Sequence, residues 1–206
     1  MCVVAGVALS VISAVHNQAG HFPNGVERGF NTFTFFTIQS NLLVGASTLA
    51  LAIRLDRSSA VFKIIRLMGL VGISLTGVVF HVALGRLLDL DGWDWLGNQL
   101  VHTVVPLLAV VGWLIIGPRG LTSARIATLS VIFPAGWLAF TLIRGAIIHW
   151  YPYPFIDVTT IGYGKAVLNS FWVALLLLAL GAGFTVVDRR LSGTGASLQP
   201  GSTPGC

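Results

Sequence analysis

Residues 32–53 read TFTFFTIQSNLLVGASTLALAI, 22 residues without one charged side chain. As an α-helix this stretch would rise about 33 Å, enough for a hydrocarbon core of about 30 Å. Apolar runs of similar character follow at residues 64–84, 98–117, 125–148 and 166–187, and a shorter one precedes at 1–16. That first run lacks a basic leading segment and a small-residue cleavage site, so it reads as a helix and not a signal peptide. Between the runs lie connections rich in Gly, Pro, Asp and Trp.

The composition agrees. Of 206 residues only 9% are charged and 55% are hydrophobic, against about 25% charged in ordinary soluble domains. Mean hydropathy is +0.86. A soluble fold of this size leaves about a third of its unfolded surface in water, which excludes a soluble globular chain, and the apolar content excludes a disordered one. The net charge of +5 would point to nucleic acid in a soluble protein. Here no basic run exceeds Arg189-Arg190, so the excess belongs to loops beside anionic headgroups and nucleic acid is not an expected partner. The expectation is an all-α, polytopic six-helix membrane bundle over residues 1–188. A disordered tail rich in Ser, Gly, Thr and Pro is expected at 189–206.

Basic residues orient such a bundle. Arg54, Arg57, Lys63, Arg66, Arg119, Arg125, Arg189 and Arg190 fall on one side, and Arg28, Arg86, Arg144 and Lys165 on the other. This bias places both termini in the cytoplasm, in a multi-pass protein of the plasma membrane. Trp93, Trp95, Trp150, Tyr151 and Tyr153 then lie at outer span ends, where amphipathic rings favour the headgroup level.

The polar chemistry is one-sided too. His16, His21, His81, His102 and His149 lie at or beyond outer span ends, as do Glu27, Asp89, Asp91, Asp94 and Asp157. The first half of the second run adds Thr32, Thr34, Thr37, Gln39, Ser40 and Asn41. Polar groups in hydrocarbon cost free energy unless partnered, so the cluster marks a site open to the outer face. On one continuous helix Thr32 lies over Gln39, while Thr34, Thr37 and Asn41 share another face. Each group also has a plainer reading: Thr and Ser bond back to their own helix, His81 snorkels, and Arg144 snorkels or pairs with Asp157. His102 lies one turn after Asn98 and four residues before Pro106, where a partly desolvated imidazole stays neutral and serves as a base. The segment HWYPYPFIDVTTIGYGK (149–165) is forced extended by its prolines, and Gly162 and Gly164 allow a turn into the last span. It reads as an aromatic interfacial belt or as a ring-lined lid over the bundle mouth.

Three segments, FNTFTFFTIQSNLLV, NQLVHTVVPLLAVVGW and YPYPFIDVTTIGYG, together resemble the androgen-induced gene family of six-span membrane proteins. That family includes the androgen-dependent tissue-factor-pathway-inhibitor regulator and bacterial relatives. The resemblance follows span order over nearly the whole chain. It implies a threonine hydrolase of fatty-acid esters such as those of hydroxy fatty acids, without a cofactor and with membrane lipids as partners. The family's threonine, seven residues before a glutamine, lands on Thr32 with Gln39 as anchor. Its Asn-x-x-x-His-Thr element lands on Asn98, His102 and Thr103, and its Tyr-Pro-Phe on Tyr153, Pro154 and Phe155. The acidic residue that follows the threonine in animal members is absent from positions 33–38, and Thr34 and Thr37 leave the nucleophile's register open.

In the implied mechanism His102 takes the Thr32 proton as the hydroxyl attacks an ester carbonyl, then protonates the leaving alcohol. Asn98 or Asn41 donates to the oxyanion, and Asp94 or Asp157 orients the imidazole. Two other classes compete. A zinc-dependent lipid hydrolase needs about three ligands, here His81, His102 and His149 from three helices. A transporter or binding protein favours repeats and midplane charges, and the sequence contains no clear instance of either. A transmembrane two-haem relay needs ligands at both depths, whereas every histidine lies on one side.

Overall fold

The computed structural model describes residues 1–17 and 21–196, with side chains up to 192. Its helices are α1 (Cys2–His16), α2 (Gly25–Thr32), α3 (Phe36–Ile53), α4 (Ala60–Val79), α5 (Gly92–Gln99), α6 (Val105–Ile116), α7 (Ala124–Ser130), α8 (Ile132–Ile148) and α9 (Val158–Ala196). A π turn (Phe80–Leu84) and a 3-10 turn (Gly85–Leu87) extend α4, and a second π turn (Leu100–Val104) joins α5 to α6. There is no strand among the described residues.

Five helical segments are long and apolar enough to cross a membrane: Phe36–Ile53, Ala60–Leu87, Gly92–Ile116, Ala124–Ile148 and Val158–Ser192. The sixth apolar helix, α1, has 15 residues and rises about 22 Å, short of the hydrocarbon thickness. Exposed Leu49, Leu107, Ile115, Ile143 and Trp172 give the bundle an apolar surface of a kind soluble monomers do not carry. The chain is an all-α polytopic membrane protein.

Helix α4 is the hub and packs against α3, α6, α7 and α9. Its Leu67, Leu70, Ile73 and Leu75 meet Val44, Val105, Trp113, Leu177 and Phe184 in the core. The α3–α4 contact depends on Gly69, where an added Cβ would lie 2.9 Å from the Val44 backbone nitrogen. Small residues permit such approach where lipid offers no hydrophobic drive to associate.

The second run is not one continuous helix. It divides between α2 and α3 at residues 33–35, where the N–H groups of Phe33, Thr34 and Phe35 turn back to Phe30, Asn31 and Thr32. The Thr34 hydroxyl donates to the Asn31 carbonyl at 2.7 Å, competing with the helical pattern as threonine does. The Trp137 indole donates to the Thr34 carbonyl at 2.8 Å, and the Gln39 amide donates to the Phe33 carbonyl at 3.0 Å. The stacking of Thr32 over Gln39 is therefore lost.

The π turn at Leu100–Val104 has a local cause. Pro106 has no N–H to return to the His102 carbonyl four residues earlier, and the Val105 N–H bonds five residues back, to Leu100. Gly162, at φ 76°, breaks the first turn of α9 from the rest, in keeping with a turn before the last span. Asp157 starts that helix, accepting from the Thr159 N–H at 3.0 Å. Helix α9 continues through Ala196, so residues 189–196, expected from sequence to begin a disordered tail, are helical. Residues 197–206 of that tail lie outside the described residues.

Candidate active site

The break at 33–35 opens a fresh helix N-terminus inside the bundle, with Thr37 at its second residue. The first N–H groups of a helix have no partner within it and carry its positive end. Here the Thr37 N–H donates to the Tyr153 phenol oxygen at 3.1 Å. The Thr37 hydroxyl lies 3.1 Å from that phenol oxygen and 3.3 Å from His102 Nε2. His102 Nδ1 lies 3.1 Å from the Asn98 carbonyl.

These contacts run in one direction. A carbonyl only accepts, so Nδ1 carries the imidazole proton, and Nε2 of the neutral ring is a bare acceptor. The Thr37 hydroxyl then donates to Nε2, which leaves its oxygen to accept from the Tyr153 O–H. Burial holds the Tyr153 phenol above the ordinary tyrosine value, against the opposing pull of its bonds to Thr37. It is therefore a neutral donor at neutral pH. Phe80 stacks on the imidazole, with centroids 4.2 Å apart. Both His81 and His102 sit on π turns, distortions frequent at functional sites.

Asn41 ties the two halves together. Fully buried, its amide nitrogen donates to the Thr37 carbonyl at 2.9 Å and to the Val101 carbonyl at 3.1 Å. Both amide hydrogens are thereby used, so Asn41 is a clamp between α3 and the His102 turn. It has no hydrogen left for an oxyanion.

The pair lies in a wall between two cavities. One, of about 240 Å³, is lined by apolar groups such as Leu75, Val79, Leu138 and Leu177. Helices α8 and α9 scarcely touch, and exposed Ala135, Ala174 and Leu178 line the cavity between them. It therefore reaches the lipid-facing surface. The other, of about 470 Å³, is lined in part by Ser13, Arg28, Asn31, Thr32, Asp94 and Asn98. Thr37, Leu84, His102 and Tyr153 border both.

The remaining site residues read from sequence fall as follows. The Thr32 hydroxyl donates to the Arg28 carbonyl at 3.2 Å, at the end of α2. Thr32 lines the polar cavity, but the hydroxyl bonded to His102 is that of Thr37. Asn98 reaches His102 through its main chain. Asp94 is exposed at the start of α5, and Asp157 serves the start of α9, so a backbone carbonyl and neither acid holds the imidazole. Arg144 lies over Phe22 and Trp150, 5.5 and 5.6 Å from the ring centres. His81 Nε2 lies 3.3 Å from the Thr103 hydroxyl. His149 ends α8 in the left-handed region at φ 54°. Among the described residues no three His, Cys, Asp or Glu side chains converge, so His81, His102 and His149 do not form a ligand set.

The segment after α8 is a plug. Tyr151 lies against Gly145, where no Cβ could fit, and the Tyr153 ring packs between Phe35, Trp137 and Phe155. Asn169 pins the segment through the Phe155 carbonyl at 2.9 Å. From sequence Tyr153 reads as a belt or lid ring and as the start of the Tyr-Pro-Phe element, with no chemical role attached to its phenol. The available signal was a phenol between two prolines, in a segment long enough to turn inward. Comparisons of the chain with known protein families, characterised proteins and solved structures return no match.

Proposed function

We propose that this chain is an integral-membrane hydrolase of fatty-acid esters, with Thr37 as nucleophile and His102 as general base. The observation that carries the reading is the Thr37 Oγ1–His102 Nε2 contact of 3.3 Å, set in the wall between an apolar and a polar cavity. Such contacts are often long in the unliganded state and tighten when substrate is bound. The ester class follows from the family resemblance and suits a cavity open to lipid.

An acyl chain enters between α8 and α9 and lies in the apolar cavity, while the alcohol portion faces the polar one. His102 Nε2 takes the Thr37 proton as Oγ1 bonds to the carbonyl carbon, then returns it to the leaving alcohol. Water from the polar cavity hydrolyses the acyl-threonine by the same transfers in reverse order. The positive end of α3 favours the developing charge at Thr37. In this reading the site faces outward from the plasma membrane and both termini are cytoplasmic, the arrangement that the distribution of basic residues favours.

The test is labelling of detergent-purified protein with a fluorophosphonate probe, together with hydrolysis of fatty-acid esters of hydroxy fatty acids. Wild type should label at Thr37 and turn over, and Thr37→Ala and His102→Ala should do neither. Retained hydrolysis in Thr37→Ala would sink the assignment, and loss in Thr32→Ala alone would return the nucleophile to that position.

A further inference from the structure

The phenol of Tyr153 is a buried polar group that the Thr37–His102 exchange does not use. It sits 3.1 Å from the attacking oxygen. It comes from the segment between α8 and α9, its ring among those of Phe35, Trp137 and Phe155. A belt tyrosine would point its hydroxyl to the headgroups, whereas this one points inward to Thr37. The Thr37 N–H fills one lone pair of its oxygen, which leaves the phenol hydrogen directed at Oγ1.

We propose that Tyr153 is a catalytic residue, the hydrogen-bond donor that stabilises the ester carbonyl oxygen when Thr37 attacks. The proposal rests on the hydrolase reading above. As the Oγ1–C bond forms, the carbonyl π pair moves to oxygen and the Thr37 proton moves to His102 Nε2. Oγ1 then becomes an ester oxygen and a poor acceptor, while the carbonyl oxygen two bonds away gains charge. The Tyr153 O–H turns from the first oxygen to the second, a short shift because both lie on the same tetrahedral carbon. When the C–O bond to the alcohol breaks, its pair leaves with the alcohol oxygen, which takes the His102 proton. The carbonyl re-forms, still bonded by the phenol. Deacylation repeats the sequence with water in place of Oγ1.

Two groups named from sequence for this role do not fill it: Asn41 has spent both amide hydrogens, and Asn98 reaches the site through its carbonyl. Tyr153 is the side-chain donor within reach of the attacking atom. Burial keeps it protonated, as a donor must be.

The experiment compares wild type, Tyr153→Phe and Thr37→Ala in detergent, with a long-chain ester as substrate and a long-chain trifluoromethyl ketone as transition-state analogue. Tyr153→Phe should lower kcat about 100- to 1000-fold, change KM little, and weaken the ketone by a similar factor. A purely structural tyrosine would not single out the ketone. If Tyr153→Phe does not remain monodisperse, 3,5-difluorotyrosine at 153 preserves the shape and makes the phenol more acidic. The alkaline limb of kcat should then move to lower pH. The titratable group facing the phenol is His102, across Thr37 Oγ1, and it governs the acid limb. A folded Tyr153→Phe with wild-type kcat, or an unmoved alkaline limb, overturns the role of Tyr153 and leaves the hydrolase reading standing. Turnover that survives in Thr37→Ala, or a wild type inert to ester and probe, overturns both.

Discussion

At one end of the bundle the Asp188 carboxylate is 1% exposed and accepts from the Gly120 N–H, the Thr122 N–H and the Thr122 hydroxyl at 3.2, 2.9 and 2.8 Å. Nearby on α4, the Arg66 guanidinium donates to Ser47 and Thr48 at 3.3 and 2.9 Å, beside a void of about 10 Å³. At the other end Thr37 is also buried and its hydroxyl also bonded, to His102 and Tyr153, yet it borders spaces of about 240 and 470 Å³. Both ends bring polar groups out of water and bond most of them, with Arg66 Nε at one end and Asn41 Oδ1 at the other left without a partner. Only one leaves room beside them for a second molecule. Burial and hydrogen bonding alone therefore do not distinguish a loop anchor from a reactive group; the neighbouring volume does.

Substitutions can break this contrast, the most severe first. Thr37→Ala or His102→Ala should cut ester turnover at least about 1000-fold with little change in thermal stability in detergent, measured by kinetics and by melting of the same preparation. Asn41→Ala should act on both scales. It frees the Thr37 and Val101 carbonyls, a cost of about 1–3 kcal/mol, and loosens the register between nucleophile and base. A variant with lowered Tm and undiminished turnover would show that the clamp is dispensable. Asp188→Ala should lower stability by about 1–3 kcal/mol and leave kcat/KM near wild type, because its donors bind a loop and nothing more.

Two smaller effects sharpen the comparison. Thr32→Ala removes one hydroxyl from the polar cavity and should change turnover by no more than a few-fold, visible in KM if it contacts the alcohol portion. At the exposed surface, Arg54 holds the Asp56 carboxyl below its ordinary value through a 2.6 Å hydrogen bond. Any stability from that pair is present above the usual carboxylate range and lost as pH falls through the lowered value. Asp56 has its side chain 71% exposed, and exposed pairs are screened, so Asp56→Asn should leave Tm unchanged at pH 7 and pH 3 alike.

Much of the architecture was legible because the bilayer imposes a simple requirement of length and apolarity. Six spans are expected from residues 1–188; five coincide with helices long enough to cross a membrane, with ends displaced by up to eight positions, and the first is a helix of 15 residues. What was not legible was the interruption inside a run that looks continuous. The break at 33–35 arises from the Thr34 hydroxyl, the Trp137 indole arriving from α8, and Gln39 reaching back. Two of these are long-range or depend on rotamers, and periodicity reports neither. His102 could be found because a histidine four residues before a proline is unusual within a span. Thr37 was one of three nearby threonines, and only the helix break separates it from Thr32. Asp94 and Asp157 were natural partners for an imidazole on chemical type, but the acceptor in place belongs to the main chain.

That acceptor has an evolutionary corollary. The group that holds the His102 proton is the peptide carbonyl of residue 98, which every amino acid possesses. No single substitution at that position deletes it. Its heritable determinant is the path of the backbone, maintained by the missing amide hydrogen of Pro106 and the five-residue hydrogen bond that results. Replacing the Asn98 side chain leaves the carbonyl that sets the tautomer of the dyad in place, whereas loss of the proline four positions beyond the histidine restores an amide hydrogen to the turn that presents it.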